Sequence, residues 1–211
     1  MTTIYRGLPY KCTMPHKFLL LKPGSRHVCP WWLAYTFDNP LRRLIHPPDK
    51  ILGPYVAQGM SVLDFGCGFG HYSIGMALLT GPTGRVAAVD IQQKMLDKTM
   101  ARAQKAGLEN IIYPVLCHED AIGIALELDF ILACNSIHET TEPASFLAEF
   151  FGLLRPGGRF LLMEPRGHLS ARDFDAEVSL ALQAGFFEIT RPKFFGQVCS
   201  LLLKPSANKD G

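Results

Sequence analysis

Carboxylates and glycines alternate in one stretch of this chain, Asp64-x-Gly66-x-Gly68-x-Gly70, and a second apolar run ends in Val89-Asp90. Carboxylates accept hydrogen bonds or hold cations. Glycines tolerate positive φ and let a ligand lie against bare backbone. Val62, Leu63 and Phe65 read as a short buried strand, and the glycines as a sharp turn into a helix beginning near His71. Asp64 stands at the carboxyl end of that strand and Asp90 at the end of the next. This is the layout of a nucleoside-binding crevice at the switch point of a doubly wound sheet. A dinucleotide site needs G-x-G-x-x-G so that a pyrophosphate can reach the helix N-terminus. Here His71 takes the third glycine's place, and the carboxylate of Asp64 would repel a pyrophosphate.

Elements must position these groups, and the pattern around them supplies strand and helix in turn. Expected strands are Ser61 to Phe65, Arg85 to Val89, Ile111 to Leu116, Asp129 to Cys134 and Arg159 to Met163. Expected helices are His71 to Leu79, Gln93 to Ala106, Pro143 to Leu154 and one capped by Ser170 that runs to Ala184. Met95, Leu96, Met100 and Ala103 recur near helical spacing, and Gly107 suits the end of that helix. Pro156-Gly157-Gly158 is expected as a turn. Phe186 to Thr190 and Val198 to Leu203 are strands joined without a helix, so they must run antiparallel. Ahead of the core, Asn39-Pro40 opens a short helix through Leu44, and Asp49 to Val56 reads as a second helical piece. The fold expected is α/β: a doubly wound, mostly parallel seven-stranded sheet with one antiparallel strand. Residues 1–45 read as an arm with an aromatic segment, 46–204 as the domain and 205–211 as a frayed tail.

Composition narrows the function classes. The chain has 211 residues, 48% hydrophobic and 19% charged, enough for one α/β domain with a large core. A net charge of +2 argues mildly against a nucleic-acid partner. No apolar run approaches a membrane span, and Phe18-Leu-Leu-Leu21 is too short for a signal-peptide core, so a cytoplasmic location is expected. The six cysteines form no C-x-x-C pair, so free thiols are expected, with no metal centre and no disulfide framework.

The glycine stretch resembles motif I of the class I S-adenosylmethionine-dependent methyltransferases. Leu153-Leu-Arg-Pro-Gly-Gly-Arg-Phe-Leu-Leu-Met-Glu164 is similar to the post-catalytic motif of their small-molecule members, such as the ubiquinone and menaquinone group. Val28-Cys-Pro-Trp-Trp-Leu-Ala-Tyr-Thr-Phe-Asp-Asn-Pro-Leu-Arg-Arg-Leu44 is similar to a segment of uncharacterised bacterial and archaeal members. The resemblance implies S-adenosylmethionine as cofactor, S-adenosylhomocysteine as product and a small-molecule acceptor. It implies that Gly66, Gly68 and Gly70 pack under the methionine moiety and that Asp64 holds its ammonium. Asp90 would accept from both ribose hydroxyls, Ile91 would cover the adenine, and Asp120, or Glu119 beside it, would accept from the adenine amino group. Asn135 would offer its backbone carbonyl to the ammonium.

Methyl transfer is a displacement at a carbon already bonded to an excellent leaving group, so positioning and desolvation do most of the work. A base is needed only when the acceptor must lose a proton. In Asn135-Ser-Ile-His-Glu139, just past the fourth strand, His138 is the expected base, with His168 and Glu164 as weaker choices. Trp31, Trp32, Tyr35 and Phe37 would close over the acceptor as apolar walls, and His168 would join that pocket. Two other readings stay open: a module that binds the cofactor without catalysis, and a methyltransferase for RNA, protein or a thiophile such as arsenite, the last suggested by Cys67, Cys117 and Cys134 near strand ends.

Overall fold

Val62, Leu63 and Phe65 are β-formers flanked by other apolar residues, and such a run is buried on both faces only in the middle of a sheet. That is where the structure, a computed structural model describing residues 40–167 and 169–206, puts them. Two short helices come first, α1 (Pro40–Ile45) and α2 (Pro48–Leu52). Then follow β1 (Ser61–Phe65), α3 (His71–Thr80), β2 (Arg85–Asp90), α4 (Gln93–Ala106) and β3 (Ile112–Leu116). After these come β4 (Leu128–Cys134), a 3-10 turn (Ile137–Glu139), α5 (Pro143–Leu153), β5 (Leu154–Pro165), α6 (Ala171–Gln183), β6 (Phe187–Thr190) and β7 (Gln197–Leu203).

The seven strands lie in the order β3-β2-β1-β4-β5-β7-β6. The first five are parallel neighbours, and β7 is antiparallel to both β5 and β6. The order reverses between β1 and β4, which leaves a crevice at their carboxyl ends. Side chains alternate between two cores. Leu63, Phe65, Val89 and Ile131 face Phe146 and Phe150 of α5 and Phe174 of α6. Val62, Val86, Phe130 and Leu132 face Tyr72 and Met76 of α3 and Leu96 of α4. β3 reaches β4 without a helix: the linking loop is pinned where Ile122 and Gly123 N–H donate to Glu149 of α5 at 2.8 and 3.1 Å.

Several expected boundaries move, each for a local reason. The second short helix ends at Leu52 rather than Val56, because Pro54 has no N–H to extend it. β5 starts at Leu154, before the expected turn. Leu154 pairs with Leu128, and pairing resumes at Arg159 with Phe130, so Pro156-Gly157-Gly158 forms a bulge within the strand. Gly157, at φ 80°, donates to the Lys204 carbonyl and closes that bulge on the end of β7. Ser170 caps α6 as expected, accepting from Asp173 N–H at 3.2 Å. Among the described residues, no helix is long and apolar enough to cross a membrane.

The corner between α1 and α2 is sewn to the domain. His71 Nε2 bonds the His46 carbonyl (2.9 Å), and His46 Nε2 bonds the Phe195 carbonyl (2.7 Å). α2 itself presses on α3 at Gly75, where a Cβ would lie 2.2 Å from Pro48 Cβ. In an open helix, Gly→Ala gains about 1 kcal/mol. At this contact Gly75→Ala is expected instead to cost about 1–3 kcal/mol through overpacking. Thermal unfolding checks the sign: a midpoint below that of the parent is expected, whereas a rise would mean that α2 yields at no cost.

Candidate functional site

The loop leaving β1 is built to lean across β2. Gly66, Gly68 and Gly70 have φ of 70°, 55° and 76°, the left-handed region that side chains disfavour. The N–H groups of Gly66 and Cys67 both donate to the Val89 carbonyl at 2.9 Å. Asp90, at the end of β2, then holds two segments at once. Its Oδ2 accepts from Gly68 N–H at 3.0 Å and its Oδ1 from Gln92 N–H at 2.9 Å. Packing adds a second reason for glycine. A Cβ at Gly66 would lie 2.5 Å from Ser136 Cβ, and one at Gly70 would lie 2.7 Å from Thr99 Cγ2. Thr99 of α4 also donates its hydroxyl to the Gly68 carbonyl at 2.9 Å, fixing the loop from below.

A cleft of about 170 Å³ opens above this loop, at the topological switch point. Phe65, Ile91, Cys117 and Phe146 give it an apolar wall. Gly66, Asp90, Glu119, Ser136, Glu139 and Thr140 give it polar ones. Ser136 ties the floor together by donating to the Phe65 carbonyl at 3.0 Å. Burial pushes the Asp90 carboxyl up to about 6, against its hydrogen bonds from Gln92 and Gly68 N–H. Burial likewise raises the Cys117 thiol to about 11 and Cys134 to about 12, so neither is a thiolate near neutral pH. That chemistry gives no support to the thiophile reading.

Of the residues expected from sequence, Gly66, Asp90 and Ile91 line the cleft together, while Gly68 and Gly70 shape it from beneath. The other three lie apart from the lining of this cleft. Asp64 does not face the cleft: it is buried, and Ser73 of α3 donates to its Oδ2 at 2.5 Å. The alternation of β1 places it on the α3 side of the sheet, opposite Phe65. Asp120 is exposed and absent from the cleft lining, which Glu119 joins instead, while the Asp120 carbonyl accepts from Ser145. Asn135 does not line the cleft either. It takes φ 57°, its N–H donates to the Met163 carbonyl, and its Oδ1 is buried without a partner among the described residues. Trp31, Trp32, Tyr35 and His168 lie outside the described residues.

His138 sits on the 3-10 turn beside the cleft. Its Nδ1 is 2.5 Å from Oε2 of Glu164, a residue with no exposure at the end of β5. Glu164 Oε1 also accepts from Ile137 N–H at 3.1 Å and His138 N–H at 3.4 Å. The imidazole Nε2 is 3.9 Å from Glu139 Oε1. Burial alone would lower the His138 pKa, but the hydrogen bond and charge of Glu164, with the charges of Glu139 and Glu177, carry it above the usual histidine value. The sequence put Ser136 on the acceptor side, just past the fourth strand, but gave no role to Glu139 or Thr140. Their only signal was position, directly after a strand that ends at the crevice.

Comparison with known proteins agrees with this geometry. Residues 57–196, well over half of the chain, match the family described as methyltransferase domain. A demethylmenaquinone methyltransferase of Lactococcus lactis is 28% identical over 109 residues, covering 50% of this chain and 42% of that protein. An S-adenosyl-L-methionine-dependent Diels-Alderase of Talaromyces variabilis is 33% identical over 139 residues, covering 63% and 45%. This chain thus spans less than half the length of either curated relative. Among solved structures, a SAM-dependent methyltransferase of Aquifex aeolicus superposes with a TM-score of 0.72 at 25% identity, covering 84% of this chain and 100% of that one.

The buried Asp64 has a consequence for stability. Burial raises its carboxyl to about 6, opposed by the Ser73 hydrogen bond and the charge of Arg42. A carboxyl raised on folding favours the folded state most at acid pH, and that favour is lost as pH climbs through the folded value. Asp64→Asn removes the titration and keeps an acceptor for Ser73. Relative to the parent, the variant should therefore gain about 1–3 kcal/mol between pH 4 and pH 7.5. Urea unfolding at the two pH values measures this, and a difference that does not change with pH would contradict it.

Proposed function

The chain belongs to the class I S-adenosylmethionine-dependent methyltransferases, and from that we propose that it transfers a methyl group from S-adenosylmethionine to a small-molecule acceptor, leaving S-adenosylhomocysteine. The observation that carries this reading is the Asp90 carboxylate, held beside Gly66 and Ile91 at the switch point by two backbone N–H groups. The residues present fit such a cofactor. Asp90 offers acceptors for the two ribose hydroxyls. Ile91, Cys117 and Phe146 form a slot for a flat apolar ring, and Glu119 can accept from its amino group. The bare backbone at Gly66 admits the amino acid end. Asp64 acts one step removed, anchoring Ser73 and so the start of α3. When bound, the cofactor supplies an electrophilic methyl carbon on a sulfonium.

The protein's own part is to orient the two reactants, exclude water and receive a proton where the acceptor has one to lose. His138 is the residue proposed for that proton. The aromatic residues Trp31, Trp32 and Tyr35, with His168, are proposed to wall the acceptor side. The acceptor is proposed to be a small molecule rather than RNA, on the near-neutral net charge and the carboxylate-rich cleft. A second reading has one observation in its favour: the Talaromyces relative is named a Diels-Alderase, so a cleft of this family can hold S-adenosylmethionine in a protein named for a different reaction. Formation of S-adenosylhomocysteine in the presence of an acceptor separates the two readings.

Calorimetry with S-adenosylhomocysteine tests the proposal. Micromolar binding is expected, with none for NAD. Asp90→Ala should weaken it by about 1.5–3 kcal/mol, the range for hydrogen bonds to a charged group. Ribose hydroxyls donate to the ionised carboxylate, so affinity should hold steady above pH 6 and decline as Asp90 takes up a proton below it. An NAD complex, or an affinity that the substitution and acid leave unchanged, would overturn the assignment.

A further inference from the structure

Glu164 is the most deeply committed carboxylate near the cleft, and methyl transfer to an arbitrary acceptor makes no use of it. It has no exposure, it belongs to β5 rather than to the loops that line the cleft, and its side-chain hydrogen bonds go to the 3-10 turn. A buried carboxylate is costly unless its lone pairs are met. Here the Ile137 N–H and His138 N–H meet one oxygen and the His138 ring meets the other. The two backbone bonds fix where the turn begins, and the ring bond fixes how the imidazole is rotated. A carboxylate accepts, so Nδ1 must carry the proton, and Nε2 becomes the ring atom able to take another.

That nitrogen lies 3.9 Å from Oε1 of Glu139, a residue lining the cleft. Among the described residues, Glu164 of β5, Glu139 of the same turn and Glu177 of α6 face the imidazole, all acidic. With Asp90 and Glu119 given to the cofactor, Glu139 is the lining carboxylate left for the acceptor, and no described residue lining the cleft is Lys or Arg. An anionic acceptor would meet repulsion there, and a neutral or cationic one would not.

We propose that Glu164 is a positioning residue that holds His138 in its Nδ1–H form and leaves Nε2, on the Glu139 side of the ring, to receive a proton, so that the acceptor is a protic one, an uncharged or cationic compound whose O–H or N–H is lost as it is methylated. This rests on the methyltransferase reading above. The step balances: the acceptor's lone pair forms the new bond to the methyl carbon, the carbon–sulfur bonding pair stays on sulfur, and the O–H or N–H proton passes to His138 Nε2 and then to water.

The test uses the full chain saturated with S-adenosylhomocysteine. Nitrogen-15 NMR of the histidine rings from pH 5 to 9, assigned with His138→Asn, reports the tautomer and midpoint of His138. The expected result is an Nδ1–H ring titrating above the ordinary histidine value. In Glu164→Gln its midpoint should drop by about 1 unit and the tautomer preference should be lost. Affinity for S-adenosylhomocysteine should change by less than about twofold, since Glu164 does not line the cleft. With labelled S-adenosylmethionine, catechol and benzylamine probe the O–H and N–H arms. Transfer to either should rise with pH along the His138 midpoint, follow that midpoint to lower pH in Glu164→Gln, and lose about 10²-fold in kcat in His138→Asn. A ring protonated on Nε2, a midpoint unmoved by Glu164→Gln, or transfer to neither probe would overturn the inference. Should Glu164→Gln fail to fold, the parent's tautomer and the His138→Asn rates decide. Absence of S-adenosylhomocysteine binding would instead remove the methyltransferase reading itself.

Discussion

The carboxylate of Asp90 is the joint on which the candidate site depends. It ends β2 and takes one hydrogen bond from the glycine loop after β1 and another from the start of the α4 segment. Two backbone segments that would otherwise splay at the sheet edge are thereby locked at a common carboxylate. The cost is visible in its pKa, pushed up to about 6 by burial. A group held ionised at neutral pH in such a place is prepared to accept further hydrogen bonds, and a ribose diol is a fitting donor.

The glycine loop serves packing and binding together. Gly66 is closed off by Ser136, and Gly70 by Thr99, so a side chain at either position would collide with protein before it met any ligand. The loop is therefore rigid in a way that its glycine content alone would not suggest. Thr99 and Ser136 supply that rigidity from two different elements, and each also bonds a backbone carbonyl of the loop or strand. The same economy governs the far side of the cleft, where Glu149 holds the helix-less connection between β3 and β4, and Glu164 holds the 3-10 turn.

Sheet register brings the last pair together. β4 and β5 run parallel with Cys134 beside Met163, which sets Glu164 next to the residues that leave β4. The 3-10 turn at Ile137–Glu139 then curls His138 back onto it. Neither residue is near the other in the chain, and the shared histidine–carboxylate geometry arises only when both strands are in place.

Much of this protein was determined locally, and local features can be read from sequence. Short apolar runs marked β1 and β2, glycine spacing marked the turn, and the strand-ending position of Asp90 marked its place at the crevice, because each depends on a few neighbouring residues and on backbone geometry. The join of β6 to β7 without a helix likewise compelled an antiparallel pair. What faces what was decided by tertiary structure. Asp64 and Phe65 are adjacent, yet the pleat sends one to Ser73 and the other to the cleft. Glu119 and Asp120 are neighbouring carboxylates in a loop without periodicity, and only the anchoring of that loop on Ser145 and Glu149 separates them. His138 could be picked out for its chemistry, but its partner could not. The choice of Glu164 follows from strand register, a long-range property that no local pattern encodes.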